Sequence, residues 1–135
     1  MNWKLIGALS LFGLAMGIGT VAVIPPNVER MMWPLIFLVC AFFIGRIHRR
    51  PFVHGLLLGL ANSVWITAAH ILFAGTYIAN HAQEAAMMAS MPMPDSPRLM
   101  MAVVGPVAGL ISGIVIGILA VVAERVTRHK TATAA

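Results

Sequence analysis

Four apolar runs, at about residues 5–24, 32–48, 52–78 and 99–123, constrain this chain more than any other feature. A hydrocarbon layer about 30 Å thick takes about 20 helical residues to cross. The runs therefore predict an all-α, integral membrane bundle of four transmembrane helices. The 135 residues are 60% hydrophobic and only 10% charged, whereas soluble domains carry about a quarter charged residues. A water-exposed surface could not be covered with so few polar side chains. One domain over residues 1–126 is expected, with an outer loop at 80–98 and a disordered polar tail at 127–135.

Proline and charge punctuate the runs. Lys4 precedes the first, and Pro25-Pro26 ends it, because proline cannot donate the helical hydrogen bond. A cleaved signal peptide competes with a first span, but one lysine and no small-x-small site before Pro25 count against it. Residues 25–33 read as a short polar turn, with Pro34 at the first position of the second helix. That second span is the shortest; counted over residues 31–47 it reaches about 25 Å at 1.5 Å per residue. The third is longer than a bilayer needs, and residues 82–90 could extend it until Pro92.

The net charge of +5 lies in short clusters beside the apolar runs. Such clusters explain topology better than nucleic-acid binding, which is not expected. With both termini in the cytoplasm, Lys4, Arg46, Arg49, Arg50, Arg125, Arg128 and Lys130 lie inside and only Arg30 and Arg98 outside. The positive-inside bias then sets an N-in/C-in, multi-pass orientation in a cell inner membrane. Arg46, Arg49 and Arg50 also form a docking place for anionic lipid head groups.

Two sets of small residues predict close helix contacts. Gly105, Gly109, Gly113 and Gly117 recur every four residues on the fourth run, and Gly13 and Gly17 share that spacing on the first. Glycine costs helix stability and adds no side-chain contact, so such a stripe in lipid is a surface where another backbone comes near. It is the strongest interaction signal in the chain. The leading functional expectation is accordingly a non-enzymatic membrane protein acting through helix association, as a homo-oligomer or an accessory subunit.

The residues that could carry chemistry are few. On the third run Ser63, Thr67, His70 and Tyr77 share one face, and the period continues to His81. A polar stripe on a lipid-bound helix needs a partner. It forms the path of an alternative reading, a small oligomeric transporter or channel. His70 is the only histidine well inside a run; it could relay a proton, ligate a metal or bond to a quinone or haem-like ligand. No Asp or Glu falls inside an apolar run. His81, Met88, Met91 and Met93 crowd the expected outer loop, and thioether with imidazole suits Cu(I) or Ag(I). That is a second alternative, although CxxC, HxxxH and an acidic cage are missing. Cys40, the only cysteine, excludes an intramolecular disulfide. Ser10, Ser63 and Ser112 have no nearby acid or base to activate them, and no cofactor is required.

Overall fold

The computed structural model describes residues 1–47 and 49–133, with side chains through Arg128. Among the described residues there are six helices and no strand: α1 Trp3–Ala22, α2 Pro26–Gly45, α3 Pro51–Leu72, α4 Ala74–Asn80, α5 Ala82–Ala89 and α6 Pro97–Thr133. Four of them, α1, α2, α3 and α6, are long and apolar enough to cross a membrane. Their outward sides are greasy. Leu35, Leu38, Phe42 and Phe43 on α2 and Val103, Val107, Ile111 and Ile118 on α6 are all exposed, a surface that water would not tolerate at this density.

Local chemistry starts each helix. The Asn2 side chain accepts from Leu5 N at 3.1 Å and caps α1. Pro26, Pro51 and Pro97 open α2, α3 and α6, where the missing N–H and fixed φ suit the first turn. Arg50, just before α3, takes φ 51°, the one left-handed non-glycine residue among those described. At the other end of α3, Phe73 leaves helical geometry (φ −111°, ψ 32°). The predicted continuous third span is therefore two helices, α3 and α4, and a second break at His81 separates α5.

Two boundaries differ from the sequence expectation. The second helix begins at Pro26 and carries Pro34 in its interior. Residues 26–33 are thus helical rather than a turn, and the 20-residue helix reaches about 30 Å. Both prolines can occupy a first turn, and Pro34 alone gives no sign of which one does. The last helix continues to Thr133 through most of the expected tail. Ala134 and Ala135, and His48 within the basic cluster, lie outside the described residues.

α3 is the central element, flanked by α1 and α6, and α2 packs on α6. The α3–α6 contact is backbone on backbone. A Cβ at Gly59 would fall on the Gly113 backbone, and one at Gly113 would fall on the Leu56 carbonyl at 2.6 Å. One and two turns along, the Ser63 and Thr67 side chains occupy the places that a Cβ at Gly109 and Gly105 would need, and Phe52 lies over Gly117. Gly13 and Gly17 do the same for α1, against Asn62 and against Ile66 and Ala69. Both glycine faces are thus covered by α3 of the same chain. Gly45 brings α2 to Ala123 on α6, and Cys40, Ala41, Ile44, Leu58, Ile116 and Ala120 fill the core beside it.

A sign reversal among glycine variants follows. Gly59→Ala adds a methyl where a backbone already sits and should destabilise the fold by about 3 kcal/mol, the upper end of usual over-packing costs. Gly7 has open space around its Cβ position, so Gly7→Ala should be neutral or stabilising by up to about 1 kcal/mol from helix propensity. Denaturation in mixed micelles measures both. Equal midpoints for the two variants would contradict this packing.

Candidate functional site

A cavity of about 440 Å³ lies between α2 and α6, with α3 as its floor and α5 over one end. From Asn62 to His70 along α3 it extends about 12 Å, eight residues at 1.5 Å each. Its wall is mostly apolar: Phe37, Ile66, Val104 and Ala108, with Met87, Met88, Met91, Met100 and Met101 at the α5 end. Val104, Ala108 and Met87 are exposed, and they mark its open rim.

All four residues of the sequence-predicted stripe, Ser63, Thr67, His70 and Tyr77, line this cavity. The α3–α4 break does not scatter them, because Tyr77 stacks beneath His70 with ring centroids 4.0 Å apart and planes within 24°. His81 stacks on the other face of Tyr77 at 4.2 Å and 19°. Both faces of the phenol are thereby covered.

Hydrogen-bond bookkeeping sets the protons. Thr20 Oγ1 donates to Met16 O at 2.7 Å and lies 3.0 Å from His70 Nε2. The hydroxyl has one proton and the carbonyl can only accept, so His70 Nε2–H donates to Thr20. Neutral His70 then carries its lone pair on Nδ1. His81 Nδ1–H donates to Tyr77 O at 3.0 Å by the same logic. Its Nε2 faces Glu29 Oε2 at 3.5 Å. Trp33 Nε1 donates to the other Glu29 oxygen at 3.1 Å.

Three polar groups remain unsatisfied around the cavity. Asn62 is 3% exposed, and neither Nδ2 nor Oδ1 has a hydrogen-bond partner. Glu84 Oε2 is buried and unpartnered as well, and His81 Nε2 has only the ion-pair approach to Glu29. An unpaired buried polar group costs about 1–3 kcal/mol, and more when charged. The serine hydroxyls, by contrast, are tied to their own helices: Ser10 donates to Gly7 O, Ser63 to Leu60 O and Ser112 to Gly109 O.

Of the expected metal-ligand set, Met88 and Met91 line the cavity, His81 is committed to Tyr77 and Glu29, and Met93 is exposed away from the wall. Among the described residues no group of three or more His, Cys, Asp or Glu side chains is placed to hold a metal ion. Arg46, Arg49 and Arg50 stay together around the α2–α3 turn, with the Arg46 guanidinium 4.4 Å over the Phe42 ring. Sequence reasoning missed three wall residues with chemistry. Glu29 stands in a segment read as a turn and Glu84 in one read as a helical extension of the third span, and Asn62 stands one residue from the stripe, on the side facing α1.

The tautomer of His70 is directly testable. Nitrogen–proton correlation spectra of wild-type protein should show Nε2 protonated and Nδ1 bare. Thr20→Val removes the acceptor, should mix the two tautomers, and should cost about 1–3 kcal/mol through the stranded N–H. An Nδ1–H tautomer in the wild type would refute the assignment.

Among known proteins, no family, no curated relative and no solved structure matches this chain.

Proposed function

We propose that this is a non-enzymatic protein of four transmembrane helices that binds, and as an oligomer carries, a small amphipathic molecule in the cavity along Ser63, Thr67, His70 and Tyr77. The observation that supports it most is Asn62: a buried amide with no partner, in the wall of an otherwise apolar cavity. Ligand sites have this composition, a volume of about 300–1,000 Å³ that is mostly apolar with a few convergent polar groups. The hydroxyls bonded to helix carbonyls argue against a serine nucleophile.

Association through the glycine faces, the leading expectation from sequence, receives less support. Those faces are filled by α3 within one chain, so an oligomer would use the remaining greasy exterior. The seven-to-two distribution of Lys and Arg supports an N-in/C-in orientation in an inner membrane. In that orientation α5 and the methionines cap the cavity on the outer side, and Arg46, Arg49 and Arg50 meet anionic lipid on the inner side.

N-phenyl-1-naphthylamine, a neutral aromatic fluorophore, tests the cavity in nanodiscs. With Trp3 and Trp65 replaced by Phe, energy transfer from Trp33 in the wall should rise to saturation as the probe is added. Ala108→Phe fills the cavity from α6 and should weaken binding about tenfold or more. Signals that never saturate, or that are the same in both proteins, would leave only lipid partitioning and reject the proposal.

A further inference from the structure

Resting on the cavity reading above, we infer that its ligand is a monovalent organic cation, held at the α5 end by Glu29 and Glu84. Every ionisable group in the described wall is an acid, a histidine or a tyrosine: Glu29 from α2, His70 from α3, Tyr77 from α4 and Glu84 from α5. No Lys or Arg contributes to it. That is unexpected in a chain of net charge +5. Arg30, the neighbour of Glu29 in sequence, is exposed and bonds to Pro26 O. His81, behind Tyr77, can offset at most one negative charge through its ion-pair contact with Glu29.

The second carboxylate is what remains. Glu84 Oε2 is buried without a hydrogen-bond partner, and a charged oxygen in that position attracts a cation. Around it the wall is built of groups that favour a soft, weakly hydrated cation. Trp33 and Phe37 lie one and two turns along α2 from Glu29, their rings 5.9 Å apart. Aromatic faces attract cations through their quadrupoles, and methionine thioethers are polarisable. Tyr77 cannot serve in this way, because His70 and His81 cover both its faces. The space is large for a bare metal ion, which also lacks a set of ligands among the described residues. Asn62, buried and unpartnered about 12 Å from His70 along α3, is the polar group without a partner at the far end of this wall.

Displacement of N-phenyl-1-naphthylamine from Trp33 tests this with an isosteric pair, benzyltrimethylammonium and neopentylbenzene, which differ only in the charge at one atom. The cation should compete about tenfold or more better. Glu84→Gln should abolish the advantage of the cation and leave neopentylbenzene unaffected. Asp95→Asn, an exposed acid outside the wall, should change neither. Equal competition by the two compounds, a cation advantage that survives Glu84→Gln, or no competition by either would overturn the inference. In each case saturable binding of the naphthylamine itself would leave the cavity reading standing, so the two failures are distinguishable.

Discussion

The backbone contact between Gly59 on α3 and Gly113 on α6 is the constraint on which the rest of the structure depends. Helix axes come this close only where neither helix carries a side chain. Once that pair is set, the four-residue repeat on α6 places further contacts along the seam: Gly55 and Phe52 at Gly117, Ser63 over Gly109 and Thr67 over Gly105. The polar stripe is therefore held edge-on against α6 and borders the space that α2 leaves open. Large side chains at the glycine positions would push α6 outward and dissolve the cavity wall. The seam and the site are consequences of one register.

Most polar groups at helix depth are neutralised locally, as an apolar surrounding requires. Ser10, Thr20, Ser63 and Ser112 each return a hydrogen bond to a carbonyl three or four residues earlier. Trp65 adds a bond to Ser10, and Asn80 reaches Val21 O on α1. Against that background the exceptions are not scattered. Asn62, Glu84 and the outward nitrogen of His81 all lie in or just behind one wall. The fold satisfies its polar groups nearly everywhere and leaves these few together around one hollow.

Much of this was legible in the sequence, for a definite reason. Glycine at every fourth position and a polar residue at every third or fourth are properties of a helix face, and the face survives whatever the helix packs on. What packs on it is not encoded in period. The glycine stripe reads equally well as a surface for a second copy and as a seam with α3, and only the fold distinguishes them. The acids were missed for the opposite reason. Glu29 and Glu84 stand in short polar segments outside the apolar runs, yet α2 starts eight residues before Pro34 and α5 lies over the cavity end. Asn62 was passed over because it sits next to the stripe and not on it. Its signal was available: an amide in the middle of an apolar run has no reason to be there unless something bonds to it.

α1 contributes no side chain to the cavity wall, and yet two of the wall's polar groups depend on it. Thr20 accepts the Nε2 proton of His70 and so leaves Nδ1 as the bare nitrogen. Gly13 lies under Asn62 so closely that a Cβ there would be 2.7 Å from the Asn62 Cα. A threonine that spends its own proton on Met16 is a pure acceptor toward His70, which a serine of the same stripe, or a valine of the same shape, would not guarantee. Gly13 likewise gives the Asn62 amide room that any larger residue would take. Thr20 and Gly13 of α1 thus bear on an imidazole and an amide that stand at the edge of the same empty space.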